Sequence, residues 1–290
     1  MKVLILGADG MIGHKMAQIF SINNFNLFLN SRSNPYFFQK SFPKSTIYNF
    51  DFLKQNIEEL LQKCTPDFII NAAGITIRRG ADNNLDTKSL NSFLPQKIDS
   101  WCKTYGKKQI LFSTDCVFSG KKGNYNDLDT PDASDNYGRS KGNGEINSIN
   151  SLTIRSSMIG REVYNKTELL EWVISNKKNT IKGFDGVIYS GVTTLWMSSL
   201  MIEIVKNYQD LSGIYNISSS PISKFNLIKK INHYFKLHIN LVKDSSYSSN
   251  KSLNSDRFFS KTKLKKPDWD DMLLNLYIDS VNNKKLYNLE

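Results

Sequence analysis

The chain has 290 residues, 40% hydrophobic and 22% charged, and carries a net charge of +11 from 38 Lys and Arg against 27 Asp and Glu. This composition is ordinary for a folded protein and excludes a disordered or collagen-like chain. No apolar stretch approaches the roughly 18 residues that a membrane helix needs. The run Met1–Leu6 stops at Gly7, too soon for the apolar region of a secretion signal, so a cytoplasmic protein without membrane attachment is expected.

The three cysteines, Cys64, Cys102 and Cys116, are odd in number, widely spaced and distant in sequence from His14, His233 and His238. Neither a disulfide framework nor a metal site is indicated. The positive charge is compatible with nucleic acid, an acidic membrane surface or an anionic small molecule. The basic residues are dispersed and no nucleic-acid module is recognisable, so no nucleic-acid partner is expected.

In chain order, hydrophobic periodicity predicts a strand at Val3–Leu6 and a helix over Met11–Phe20, with Ile12, Met16 and Ile19 at i, i+4 and i+7. A second apolar run, Phe25–Leu29, precedes a loop around Pro35, a short strand at Ile47–Phe50 and a helix at Leu53–Lys63. Phe68-Ile69-Ile70 has the pattern of a strand buried on both faces. A helix near Ser92–Tyr105, a strand at Gln109–Ser113, a polar loop over Ser119–Asn136, a helix from about Tyr137 and a strand at Leu152–Ser156 continue the alternation. Such alternation predicts βαβ units, hence an α/β, doubly wound parallel sheet with helices on both faces. Beyond Gly160 the rhythm breaks into helical segments at Thr167–Lys177, Thr193–Tyr208 and Ser223–Lys236, followed by a basic, aromatic tail over Lys261–Trp269. A smaller, mostly C-terminal substrate-binding region is expected to pack on the sheet domain.

The first strand runs into Gly7-Ala8-Asp9-Gly10-Met11-Ile12-Gly13 and then a helix. Glycines there permit a tight turn and close approach of a pyrophosphate, whose charge meets the N–H groups at the helix start. That context points to a dinucleotide, although a packing turn would show the same glycines. At the end of the second strand, Asn30-Ser31-Arg32-Ser33 offers a guanidinium and no carboxylate, which favours NADP(H) over NAD(H); a solvated Arg32 is the bland alternative. Asp51 and Phe52 are candidates for the adenine edge, and Asp51 equally suits a helix N-cap. Asn71-Ala72-Ala73-Gly74 supplies small residues where a flat ligand would cross the strand ends. Ser113-Thr114-Asp115 ends another strand, and Tyr137-Gly138-Arg139-Ser140-Lys141 puts a phenol and an ammonium four apart on one helical face. A neighbouring cation favours phenolate, so Lys141 is expected to lower the pKa of Tyr137 toward the working range. By itself Tyr-x-x-x-Lys is as readily a solvated helix face.

Taken together, the glycine turn, Asn71–Gly74, Ser113–Gly120, and Tyr137–Lys141 with Gly144-Glu145 after it resemble the extended short-chain dehydrogenases/reductases. More narrowly the chain is similar to the dTDP-4-dehydrorhamnose reductase group, also through Arg155–Gly160, Ser190–Thr194 and Pro267-Asp268-Trp269. The resemblance implies a Rossmann-type sheet domain and hydride transfer from NADPH, with NADH an option, to the C4 ketone of a nucleotide-linked 4-keto-6-deoxyhexose. It implies catalytic roles for Thr114, Tyr137 and Lys141, with Tyr137 donating the proton, Lys141 binding the nicotinamide ribose and Thr114 bonding the carbonyl oxygen. Cofactor contacts fall to Gly7, Gly10, Met11, Ile12, Gly13, Arg32, Asp51, Phe52, Ala73, Gly74, Ser113, Tyr137 and Lys141. Thr114, Asp115, Cys116, Met158 and Arg257 are the substrate candidates, Arg257 for the diphosphate because a guanidinium forks onto it. Arg161, Arg78, Arg79 and Lys261–Lys266 are further cations for that role.

Cys116 and Met158 depart from the tyrosine and the aromatic of relatives, so the reaction type carries over more firmly than the sugar. Cys116 as a nucleophile is disfavoured, since hydride transfer needs none. Residues 1–160, with 190–218 returning, are expected to form the NADP(H)-binding domain, and 161–189 with 219–290 the substrate region. The partner is a nucleotide sugar, and a homodimer is admitted. An epimerase of the same superfamily and a catalytically silent dinucleotide-binding subunit are the alternatives; a dehydratase would add an acidic partner beside Asp115.

Overall fold

The computed structural model describes residues 1–32, 35–76 and 84–287. Among them seven strands form one parallel sheet: β1 (Lys2–Leu6), β2 (Asn26–Asn30), β3 (Thr46–Tyr48), β4 (Phe68–Asn71), β5 (Lys108–Phe112), β6 (Ser151–Arg155) and, after three strands outside this sheet, β10 (Gly213–Asn216). Their spatial order is β10-β6-β5-β4-β1-β2-β3. The chain therefore reverses direction across the sheet between β1 and β4, and the crevice for a dinucleotide opens at such a switch point.

Alternation along each strand builds two apolar layers. Val3 and Ile5 face Met16, Ala17 and Phe20 of α1 (Met11–Ser21), together with Met197 and Met201 of α8 (Thr194–Asn207). Leu4, Leu6 and Ile69 face the other way, onto Leu60 and Leu61 of α3 (Ile57–Cys64) and Ile98 and Trp101 of α5 (Leu94–Tyr105). Burial on both faces explains why these strands read as nearly continuous apolar runs. The expected Rossmann-type parallel sheet is the observed one.

Local chemistry shifted several boundaries. The loop expected around Pro35 is instead α2 (Pro35–Ser41); proline suits a first helical position, where its fixed φ helps and its missing N–H costs nothing. The helix expected from Leu53 starts at Ile57, because Asn56 is the N-cap and accepts from the Glu58 N–H at 3.2 Å. Before α5, and after α4 (Asn84–Lys88), the turn Ser89–Phe93 is a π-helix, a widened turn that frequently marks functional ground.

The other strands and α-helices lie outside the main sheet. They are α6 (Asn136–Asn143), β7 (Met158–Ile159), α7 (Leu169–Ser175), β8 (Thr180–Tyr189), β9 (Val192–Thr193), β11 (Ile222–Ser223), α9 (Lys224–Tyr234), β12 (Asn240–Asn250), α10 (Asp256–Thr262) and α11 (Trp269–Asn282). β11, β8 and β12 make a second, three-stranded sheet. β8, β12 and α11 were not anticipated. β12 is largely exposed and polar, and its pairing with β8, not an apolar pattern, makes it a strand. No helix among the described residues is long and apolar enough to cross a membrane.

Candidate active site

At the switch point lies a cleft of about 290 Å³. The strand ends supply Asn71, Phe112 and Ser113, the glycine turn supplies Gly10, and α1 supplies Met11 and Ile12. Ala73, Gly74, Thr114, Cys116, Tyr137, Lys141 and Met158 complete most of the predicted set on its walls.

The glycine turn is bare by necessity. Gly7 has φ +69°, and a Cβ there would fall 2.9 Å from Ala73; a Cβ on Gly13 would fall 2.0 Å from the Gly7 carbonyl oxygen. Only hydrogen at those positions lets α1 sit this close to β1 and β4. Gly10 gives α1 no side-chain cap, and its first turn has no acidic residue, so the opening N–H groups are disposed toward an anion. The residues present thus fit the pyrophosphate of a dinucleotide.

Asn30 opens the Asn30–Ser33 segment from which Arg32 was singled out. It is buried, its Oδ1 accepting from the Gly7 N–H at 3.2 Å and its Nδ2 donating to the Phe50 carbonyl at 2.9 Å, which staples the turn to the segment just after β3. Arg32 is exposed at the end of β2, and its backbone N–H donates to Asp9 at 3.2 Å; a carboxylate therefore shares that corner with the guanidinium. Asp51 caps a turn, accepting from the Leu53 N–H at 3.0 Å. Phe52 packs on Phe50 and lines a separate groove with Leu53 and Phe93. Neither Asp51 nor Phe52 reaches the main cleft, so the cleft walls give their adenine role no support.

The Tyr137 phenol and the Lys141 ammonium, one turn apart on α6, both enter the cleft. Their electrostatics differ from the expectation that the cation favours phenolate. Burial pushes the Tyr137 pKa well up, with the neighbouring Cys116 adding to it and a hydrogen bond with Thr114 opposing it. Lys141 is itself lowered to about 8 by burial, against the pull of Glu145, and donates to the Phe112 carbonyl at 2.5 Å. Desolvation dominates, and Tyr137 is a neutral phenol. Thr114 caps the turn Asp115–Val117, accepting from the Cys116 N–H at 3.1 Å, and donates to Asp115 at 3.1 Å. Asp115 is buried behind it. The Cys116 thiol is pushed up to about 12 by burial and by Asp115, which makes it an inert wall.

Ser113 lines the cleft, but its hydroxyl donates to Glu145 at 2.6 Å. Glu145 is held by Arg155 through two bonds of 2.8 and 2.7 Å, an ion pair buried on both sides. Asn91, on the π-turn, was missed. It accepts from the Ile75 N–H at 2.9 Å and donates to the Ile75 carbonyl at 3.0 Å and to Ser140 at 3.0 Å, joining the loop after β4 to the helix of Tyr137. Glu168, a carboxylate on the cleft wall, was missed as well. An asparagine amid the apolar residues before α5 was the available signal for Asn91; nothing local marks Glu168.

The cations expected at a diphosphate lie elsewhere. Arg257 is not on the cleft wall: its guanidinium donates to the Ile214 carbonyl at 3.0 Å and stacks on the Tyr215 ring at 4.3 Å, covering the outer edge of β10. Arg161 is buried against Glu171 at 2.7 Å, so that charge is already matched. Lys265 and Lys266 line another groove with Trp196 and Met272. Arg78 and Arg79 lie outside the described residues, as does Ser33. Among the described residues no group of His, Cys, Asp and Glu could hold a metal.

Comparison with known proteins follows the same lines. The family model described as the RmlD substrate binding domain matches residues 1–178. No curated protein sequence matches the chain. A hypothetical dTDP-4-dehydrorhamnose reductase from Sulfolobus tokodaii is 25% identical, with 93% of this chain and 98% of that one covered and a TM-score of 0.78. The dTDP-4-dehydrorhamnose reductase of Bacillus anthracis, in complex with NADP, shares the fold at 19% identity, with 96% and 100% covered and a TM-score of 0.79. So does the UDP-glucuronic acid 4-epimerase of Bacillus cereus, in complex with NAD, at 18% identity, with 100% and 99% covered and a TM-score of 0.77. With more than half its length matched by the model, and the cleft formed where that model applies, the chain belongs to the RmlD substrate-binding-domain family.

Proposed function

We propose that the protein is an NADPH-dependent oxidoreductase that reduces the C4 ketone of a nucleotide-linked 4-keto-6-deoxyhexose, as dTDP-4-dehydrorhamnose reductase does, and serves deoxysugar or surface-polysaccharide synthesis. The observation that carries this reading is the meeting of Thr114, Tyr137 and Lys141 in one cleft with the residues of the glycine turn. NADPH, when bound, supplies the hydride. As negative charge grows on the ketone oxygen, Tyr137 donates its proton to that oxygen. Its raised pKa suits this acid role, because the proton stays on the phenol until the acceptor becomes strongly basic. Thr114, turning its hydroxyl proton away from Asp115, donates a hydrogen bond to the same oxygen, which favours the transition state over the ground state. Lys141 binds the nicotinamide ribose, and Gly10, Met11 and Ile12 bind the pyrophosphate through backbone N–H groups. Arg32 favours the 2′-phosphate of NADPH, with NADH an option.

Cofactor binding is assigned to residues 1–160 with 190–218, and the sugar to 161–189 with 219–290. The position of β10 in the main sheet supports this division. The test is a turnover screen of dTDP-, UDP-, GDP- and CDP-linked 4-keto-6-deoxy sugars with NADPH, products being identified by NMR. Substrate-dependent NADPH oxidation that is lost in Tyr137→Phe is expected. NADPH binding without any turnover would favour a silent dinucleotide-binding subunit, and C4 inversion without net NADPH consumption an epimerase.

A further inference from the structure

His14 is a buried titratable group that the chemistry above leaves unused. It lies on α1, one turn past Gly10, and both of its ring nitrogens are engaged. Nδ1 is 3.0 Å from the Gly10 carbonyl oxygen, and Nε2 is 3.2 Å from the Tyr287 hydroxyl. Burial, with Lys15 beside it, lowers the His14 pKa to about 3, so the ring is neutral and has a single N–H. A carbonyl can only accept, which puts that proton on Nδ1; Nε2 then accepts, and Tyr287 donates to it. The bonds run in one direction, from the Tyr287 hydroxyl through the imidazole to the Gly10 carbonyl.

Tyr287 is itself held in place. It ends the 3₁₀ turn Lys284–Tyr287, beyond α11, and is fully buried. Lys15 and Arg161 stand 5.5 and 4.9 Å from the centre of its ring, Lys15 paired with Asp279 and Arg161 with Glu171. Its backbone carbonyl accepts from Lys166 at 3.2 Å. At the far end of the series, the Gly10 N–H donates to the Gly7 carbonyl at 3.0 Å. The Gly10 carbonyl accepts from the His14 backbone N–H at 3.0 Å as well as from the His14 ring. The Gly10–Met11 peptide is trans and planar, so its carbonyl and its N–H point opposite ways. Holding the carbonyl against His14 therefore fixes the direction of the Met11 N–H, and Met11 lines the cleft.

We propose that His14 is a positioning residue for the dinucleotide: oriented by Tyr287, it pins the Gly10–Met11 peptide so that the Met11 N–H meets the pyrophosphate. The inference rests on the reading of the glycine turn as the pyrophosphate site and adds what holds that site in shape. A peptide already set in its bound orientation need not be ordered when the ligand arrives, which raises affinity.

The test is fluorescence titration of the full chain with NADPH, joined to phosphorus NMR of bound NADP, which resolves the pyrophosphate from the 2′-phosphate. His14→Leu removes both ring bonds, and affinity should fall by about three- to tenfold, the scale of one hydrogen bond. The pyrophosphate resonances should move from their wild-type positions while the 2′-phosphate resonance stays. His14→Asn keeps a donor in the place of Nδ1 and should recover most of the affinity; His14→Gln, whose amide lies in the place of Nε2, should not. Tyr287→Phe keeps the ring against Lys15 and Arg161 and loses the donor alone, for a smaller loss of about two- to threefold. Equal affinity in wild type and His14→Leu overturns the proposal. So does an Asn variant no better than the Gln variant, or a displacement shared by both kinds of phosphate, the mark of a general loosening. Should His14→Leu not fold, Tyr287→Phe and the contrast of Asn with Gln decide. Wild-type protein that binds neither NADPH nor NADH would instead overturn the dinucleotide reading of the turn, and the inference with it.

Discussion

The two sides of the cleft are made in different ways. On the cofactor side the work falls to backbone and to the absence of side chains: Gly7, Gly10 and Gly13 in the turn, Ala72 and Ala73 after β4, and the open N-terminus of α1. On the side proposed for the sugar it falls to side chains: Thr114 and Cys116 on the turn after β5, Met158 on β7 and Glu168 before α7. A pyrophosphate is the same in every dinucleotide, so a fixed backbone cradle suffices. A sugar differs from its relatives by single hydroxyl groups, and only side chains on tolerant loops can follow that variation. The teaching is that the cofactor half should respond to changes in volume, and the sugar half to changes in charge and hydrogen bonding.

Tyr137, on the seam of the two sides, gives the largest expected effect. Tyr137→Phe keeps the ring and removes the proton donor, and kcat should fall by about 10²–10⁴-fold with NADPH affinity little altered. Retained turnover in that variant would remove the phenol from the chemistry. On the cofactor side, Gly13→Ala tests volume. Its Cβ would meet the Gly7 carbonyl at 2.0 Å, so α1 must shift, at a cost of about 1–3 kcal/mol in stability. NADPH affinity should drop by about tenfold or more, because the N–H groups move with the helix. Unchanged affinity by fluorescence titration would break the comparison on that side.

A smaller effect is expected from pH. Lys141 is lowered to about 8 by burial. Raising the pH through that value removes its charge in the free enzyme, and NADPH binding should weaken by several-fold above about pH 8. The sign for stability is opposite. The unfolded chain holds the Lys141 proton more tightly, so the burial penalty is present below about pH 8 and is relieved as the pH rises toward the ordinary lysine value. Binding that is flat from pH 7 to pH 9 would detach Lys141 from the cofactor. The smallest effect belongs to Arg32→Ala, which should weaken NADPH by about three- to tenfold and leave NADH nearly unchanged. Equal losses for both would assign the NADPH preference elsewhere.

Sequence reading reached the parallel sheet because its strands are buried on both faces, and Val3–Leu6 or Phe68–Ile70 then have little freedom to be anything else. It offered Tyr137 and Lys141 through their spacing and their place in the βαβ series, and Thr114 through the family resemblance; all three line the cleft. It failed on β12, whose polar residues become a strand only by pairing with β8, and on α2, where a proline that reads as a breaker opens a helix. It assigned Arg257 and Arg161 to a substrate phosphate because a guanidinium suits one. Their actual partners, the Ile214 carbonyl and Glu171, depend on packing.

By itself, then, the sequence determined the doubly wound sheet and the glycine turn, since periodicity and backbone permissiveness are local properties, and it offered Thr114, Tyr137 and Lys141 as candidates for the chemistry. Only the tertiary structure decided how those groups are charged and what surrounds them. Burial is a property of the assembled molecule: it makes Tyr137 a neutral phenol, hides Arg161 and Arg155 in ion pairs, and leaves Glu168 on the cleft wall.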